Sequence, residues 1–310
     1  MNSLTKYSFK KQKRVLLSVF LILSAFLGLQ ACKDNNNNDN QGDIVEVAQA
    51  DGNFSSLVST LQQTGVDTAL KATGPFTVFA PTDEAFSNLP EGLLDSLSNE
   101  QLIEILKYHV VSSEIASSDL QAEQTVDALA GGQLFITSAN GNVLVNGQAQ
   151  VETADISASN GVIHAVNQVL LPDAFQDVVA IISKRYMLQT LEDAVVQANL
   201  VNTLQQDTQD GYTVFAPLNT AFDGIDLSSL SQQQLQDILT YHVLPSKILS
   251  ADITSGTVTT VNGATIEINV AGDGTVSLTD QAGNTYQVTQ ADLEGTNGVV
   301  HIINGVLMPS

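Results

Sequence analysis

Four histidines, His109, His164, His242 and His301, are the side chains of this 310-residue chain best suited to move a proton or hold a metal ion near neutral pH. They occupy two kinds of setting. His109 and His242 each follow a tyrosine at the end of an apolar-periodic segment, in Leu106-Lys107-Tyr108-His109-Val110 and Leu239-Thr240-Tyr241-His242-Val243. His164 and His301 lie inside the apolar runs Val162 to Val166 and Val299 to Ile303. Two histidines per half do not make a metal-ligand spacing. The sequence also has no His-Glu-x-x-His, no Gly-x-Ser-x-Gly and no phosphate loop. A calcium loop on Asn37, Asp39, Gln41 and Gly42 fails because the glutamate it needs falls on Ala48. An imidazole in such surroundings usually bonds a backbone group and fastens one element to another. These residues therefore point to a non-enzymatic chain with no metal and no cofactor.

The histidines match because the chain repeats itself. Phe76-Thr77-Val78-Phe79-Ala80-Pro81-Thr82-Asp83-Glu84-Ala85-Phe86 returns as Tyr212-Thr213-Val214-Phe215-Ala216-Pro217-Leu218-Asn219-Thr220-Ala221-Phe222. The two Tyr-His blocks follow in order, and Asn160-Gly161-Val162-Ile163-His164 returns as Asn297-Gly298-Val299-Val300-His301. A period near 130 is a domain length, far longer than the roughly 20 to 50 residues of a solenoid unit. Two tandem domains, 44–173 and 177–309, are expected.

The Thr-Val-Phe-Ala-Pro-x-(Asp/Asn)-x-Ala-Phe block, the Tyr-His pair and the Asn-Gly-Val-(Ile/Val)-His block resemble the fasciclin domain in both copies. The resemblance implies an α+β fold in which a mixed β-sandwich-like core is flanked by helices, and a role in cell adhesion or matrix contact. Thr153-Ala154-Asp155-Ile156 and Gln290-Ala291-Asp292-Leu293 precede the last block of each copy. Animal matrix members of the family carry an Asp-Ile pair assigned to integrin binding at this place, and the Tyr-His region has been assigned the same role. By resemblance, Tyr108, His109, Asp155 and Ile156 in the first copy, and Tyr241, His242, Asp292 and Leu293 in the second, are the adhesion candidates. Folding offers another account of the same residues, with Ile156 and Leu293 in the core and the aspartates closing a turn.

The elements that must position these groups are readable from periodicity. Phe54, Leu57, Leu61, Val66 and Leu70, and again Leu188, Leu191, Val195, Leu200 and Leu204, fall on one face of helical openings. Thr77 to Pro81 is a short buried strand stopped by proline. Leu93 to Val110 reads as helix, with cap-type residues Ser98 to Gln101. Gly131 to Val151 and Thr257 to Val288 alternate apolar and polar residues between Asn-Gly, Gly-Gly and Asp-Gly turns and read as hairpins.

The N-terminus speaks to location. Five basic residues between Lys6 and Arg14 precede an apolar run, Val15 to Leu29, that ends in Leu29-Gln30-Ala31-Cys32. This resembles a bacterial lipoprotein signal (residues 1–31), which implies cleavage before Cys32 and lipidation of its thiol. The only membrane attachment expected is then through acyl chains. The run is short for a bilayer span, which needs about 20 residues. A polar tether, 32–43, follows. Its Lys33-Asp34 start resembles the surface-export signal of Bacteroidetes lipoproteins and implies an outer-membrane lipoprotein facing outward. Cleavage leaves 6 basic against 33 acidic residues, a net charge of −27. Such a surface repels nucleic acid and anionic headgroups. The expected partner is a cell-surface or extracellular protein or glycan. A groove holding a small apolar ligand, such as a pigment or lipid, is the alternative, although a chain without tryptophan has few aromatics to spare for a flat ligand or a sugar.

Overall fold

A computed structural model describes residues 41–310, so the expected signal (residues 1–31), the lipidation candidate Cys32 and most of the expected tether lie outside the described residues. Residues 41–310 form one compact unit containing two seven-stranded sheets. The first is ordered β2-β1-β7-β6-β5-β4-β3, built from β1 (Phe76–Pro81), β2 (Val110–Val111), β3 (Glu123–Asp127), β4 (Gln133–Ala139), β5 (Asn142–Val145), β6 (Ala149–Ala158) and β7 (Gly161–Val166). The second has the same order in β8 (Tyr212–Pro217), β9 (Val243–Leu244), β10 (Gly256–Thr259), β11 (Thr265–Val270), β12 (Val276–Thr279), β13 (Thr285–Glu294) and β14 (Gly298–Ile303). The expected α+β fold in two tandem domains is what the chain adopts.

At the centre of each sheet the two motif strands run parallel, Phe76 opposite Gly161 through Pro81 opposite Val166, and Tyr212 opposite Gly298 through Pro217 opposite Ile303. All other pairings are antiparallel. These strands read as continuous apolar runs because both of their faces are covered. Alternate residues Val78, Ala80, Ile163 and Ala165 meet the helices Ile44–Ala50, Ser55–Thr64 and Asn99–Tyr108. Phe79 and Val166 face the other way, onto Leu134, Ile136 and Val145 of the hairpin strands. The second repeat divides its core alike. Each sheet therefore has a helix-covered side and a side folded back on its own hairpins, the sandwich-like arrangement expected.

The bend falls on the longest strands. The register of β6 against β7 slips between Thr153 and Ile156, and that of β13 against β14 between Gln290 and Leu293. Asp155 (φ +58°) and Asp292 (φ +60°) sit in these bulges with left-handed backbone, a conformation aspartate tolerates better than most residues. Sequence and structure part over residues 93–110. Instead of one helix there is a single turn, Leu93–Ser96, and then Asn99–Tyr108. Ser98 accepts from the amide of Gln101 while Gln101 accepts from that of Ser98, so this capping box starts a new helix and breaks the old one.

Candidate functional site

The Tyr-His pairs lie at helix ends inside the protein. His109 is 2% exposed and terminates Asn99–Tyr108. Its Nε2 accepts from the Leu170 amide at 2.8 Å, so the proton is on Nδ1, which donates to the Ile105 carbonyl at 2.7 Å. His242 repeats this between Ile238 O (2.8 Å) and the Leu307 amide (2.8 Å). Each ring ties the end of a helix to the closing segment of its domain. Burial lowers both pKa values to about 4, against the opposing pull of the carbonyl bonds, and the rings are neutral at pH 7. The Tyr108 hydroxyl donates to Gln133 O (2.7 Å) and that of Tyr241 to Thr265 O (2.8 Å). Burial pushes both phenols above their ordinary pKa.

The second pair of histidines takes the opposite tautomer. Nδ1 of His164 accepts from the Asp155 amide (3.2 Å) and Nε2 donates to Ile115 O (2.8 Å). His301 does the same with Asp292 (3.1 Å) and Ile248 (3.0 Å). Each ring packs on the phenylalanine of the neighbouring parallel strand, His164 on Phe79 and His301 on Phe215. The Asp155 carboxylate accepts from the amide (2.8 Å) and the hydroxyl of Ser117; Asp292 does so from Ser250 (2.7 Å to the amide). The Ser117 hydrogen bonds hold Asp155 below the ordinary carboxyl range. For Asp292, burial opposes ionisation but the Ser250 bonds outweigh it, with the same result.

Serine, histidine and aspartate thus meet twice, the residue types of a nucleophilic triad, in the wrong connectivity. The serine hydroxyl is bonded to the carboxylate, and both imidazole nitrogens are committed to backbone groups. A triad needs the imidazole between the other two, where it can take the hydroxyl proton. Here the hydroxyl proton points at the carboxylate, and the imidazole stands outside that pair. The eight adhesion candidates therefore divide. Tyr108, His109, Tyr241, His242 and Leu293 are buried, Ile156 is half-buried against the helix-side core, and the Asp155 and Asp292 residues stand exposed.

Two polar groups that the sequence motifs contain, but whose roles are not legible in them, close each domain. Asn160 accepts from the Ile44 amide (3.0 Å) and donates to Leu70 O (2.7 Å) and Ala72 O (3.0 Å). Asn297 links Val178, Leu204 and Gln206 in the same way. The following Gly161 allows the parallel strands to approach, since a Cβ there would lie 2.0 Å from Phe76 O. A third cluster, Asp173, Lys184 and Arg185, belongs to no sequence motif. The available signal was an adjacent Lys-Arg pair in a chain very poor in basic residues.

Two of the surface depressions involve the second repeat's helices and the face between the repeats. A groove of about 240 Å3 between the helices Val178–Ser183 and Gln189–Gln197 is lined by Val179, Ile182, Val195, Val196 and Val201, with Val196 60% exposed. A cleft of about 280 Å3 is lined by Glu104, Tyr108 and Gln133 of the first repeat and by Asp292 and Glu294 of the second. Among the described residues no group of His, Cys, Asp or Glu is arranged to hold a metal ion, and no helix is long and apolar enough to cross a membrane.

A twofold α+β scaffold, whose four histidines are tied into its own backbone, is the class this geometry defines. The fasciclin-domain model matches residues 52–172 and 186–309, and the chain belongs to that family. It is 29% identical to human periostin over 270 residues, covering 86% of this chain but 31% of periostin. It is 32% identical to pig transforming growth factor-beta-induced protein ig-h3 over 251 residues, 77% of this chain and 35% of that one. The chain thus spans about a third of those two relatives. One of its domains is 46% identical to protein sll1483 of Synechocystis over 133 residues, 42% of this chain and 73% of that one. The solved FAS1 domain pair of the insect cell adhesion molecule Fasciclin I superimposes with a TM-score of 0.56 at 18% identity, covering 84% of this chain and 98% of that one, a likeness of fold.

Proposed function

We propose that this protein is a non-catalytic adhesion or matrix-interaction module of the cell surface, anchored through lipid on Cys32 and presenting its two domains outward. The observation that carries the reading is that all four histidines are committed to backbone groups, so what the folded chain offers a partner is its surface. That surface is acidic and carries the exposed Asp155 and Asp292. The partner in this reading is an extracellular or cell-surface protein or glycan that meets these acidic faces, and Tyr108, His109, Tyr241 and His242 serve by holding the faces in shape. Protease shaving of intact cells, scored with an antibody against residues 44–309, tests it. Loss of signal without lysis supports surface adhesion; full protection refutes it. Cys32→Ser should move the protein from the membrane to the soluble fraction, and its retention in membranes would refute lipid anchoring.

The Val179–Val196 groove favours a second reading, binding of a small apolar ligand such as a lipid or pigment within the envelope. Mass spectrometry of organic extracts from the purified native protein decides it, a stoichiometric apolar compound supporting this role and a clean extract removing it.

A further inference from the structure

We infer that the junction between the repeats is a keyed latch, in which the Ser183-Lys184-Arg185-Tyr186 turn of the second repeat seats on the outer sheet face of the first and makes the two one rigid, cooperatively unfolding body. Lys184 and Arg185 are each 3% exposed, an unusual fate for two cations side by side. Both pair with Asp173 on the connecting segment, Arg185 through two contacts of 3.3 and 2.6 Å. Lys184 also donates to the Tyr108 hydroxyl (3.3 Å), which receives Asn146 Nδ2 at the same distance. The Arg185 guanidinium lies 5.0 Å from the Phe135 ring centroid. Tyr186 meets Phe135 edge-on and shares a hydrogen bond of 3.1 Å with Thr125. The first repeat makes room with Gly147, where a Cβ would lie 2.6 Å from Ser183 O.

The internal repeat shows that this fit is specific to one junction. In the first repeat the places of Lys184, Arg185 and Tyr186 are held by Ala50, Asp51 and Gly52, so it has no plug. In the second, strand register puts Glu267 where Phe135 stands, and the Asn146-Gly147 turn is replaced by the longer Asp280–Asn284 loop, so the socket is gone. Plug and socket each occur once, on opposite sides of the same junction. The cleft shared by Glu104 and Asp292 exists only while they are joined.

A buried ion cluster gives little net stability, because desolvation offsets attraction, but removal of one partner leaves the other charge stranded. The test follows from that asymmetry and uses the protein as residues 32–310 with its tether. In the wild type, calorimetry should give one unfolding transition, and 15N relaxation one tumbling time for both repeats. Asp173→Ala strands two cations and should split the transition in two, separate the tumbling times and enlarge the maximum dimension in X-ray scattering. Lys184→Met, which leaves Arg185 paired with Asp173, should keep the single transition. Gly147→Asn tolerates the left-handed turn (φ +71°) yet blocks the seat, and should behave like Asp173→Ala without touching a charge. Independent tumbling in the wild type overturns the inference whatever the variants do. So does retention of a single transition and unchanged dimensions in both Asp173→Ala and Gly147→Asn.

Discussion

Acidification from pH 7 to 4.5 should unfold this protein through two rings buried inside it. His109 and His242 are neutral in the fold, with pKa values lowered by burial to about 4, while in the unfolded chain each titrates near 6.5. Stability from their neutral state is complete above pH 6.5 and is lost as the pH falls toward 4, because the unfolded chain binds protons that the folded one refuses. At pH 4.5 this amounts to about 2.5 kcal/mol per ring, or about 5 kcal/mol for the pair, comparable to the whole stability of many domains, roughly 5–15 kcal/mol. Burial lowers the His301 pKa as well, which adds to the loss. Asp155, Asp173 and Asp292, all held below the ordinary carboxyl range, extend the destabilisation to lower pH with the same sign.

Urea denaturation followed by circular dichroism at pH 7.0, 6.0, 5.25 and 4.5 measures this directly. The expected slope approaches about 2.7 kcal/mol per pH unit between 6 and 4.5, two protons' worth. His109→Gln/His242→Gln keeps a donor and an acceptor at each place but cannot titrate, so it should be weaker at pH 7 and much flatter below it. In wild-type protein the NMR signals of both rings should stay unshifted down to about pH 5. A wild-type stability that is flat across this range, or ring signals titrating near 6.5, would refute the reasoning.

Asn297→Ala strands the Val178 amide and the Leu204 carbonyl inside the protein and should cost about 3 kcal/mol by urea denaturation. Asn160→Ala should cost less, since Asn160 is only half-buried. Gly161→Ala places a methyl 2.0 Å from Phe76 O and should abolish soluble expression or lower the melting temperature by more than 10 °C, whereas Gly52→Ala, with open space around it, should change little. Equal effects at the two glycines would argue against close strand approach as the reason for the Asn-Gly motif.

The parts of this fold that are legible in the sequence are those encoded by local periodicity. Val78 and Ile163 sit in apolar runs that any sheet buried on both faces requires, and the Asn-Gly turns around β5 announce their hairpin. The break before Asn99 depends on a two-residue capping exchange competing with an apolar pattern that would run on through it, so the pattern alone overstates the helix. The bulges at Asp155 and Asp292 are less visible still. An aspartate at positive φ looks like any other in the sequence, and its tie to Ser117 or Ser250 spans 38 or 42 residues. The latch was illegible for the same reason, since Lys184 meets Tyr108 only after the fold has brought residues 76 positions apart together.

A chain that contains its own copy also provides its own control. His109 and His242, His164 and His301, Asp155 and Asp292, and Asn160 and Asn297 hold the same backbone partners in both repeats. Identical solutions at both places answer the demand the two share, which is to close one such domain. Function particular to this protein is better sought where the copies differ under equal demands. Phe135 against Glu267, Gly147 against the Asp280–Asn284 loop, and Lys184 against Ala50 are such differences, and all three concern one face of the sheet or what docks on it. Val196 against Gln62 is another, and Val196 lines the groove between the helices Val178–Ser183 and Gln189–Gln197. Repetition makes the motif residues conspicuous in the sequence, and the unmatched residues are the ones that distinguish the two domains from one another.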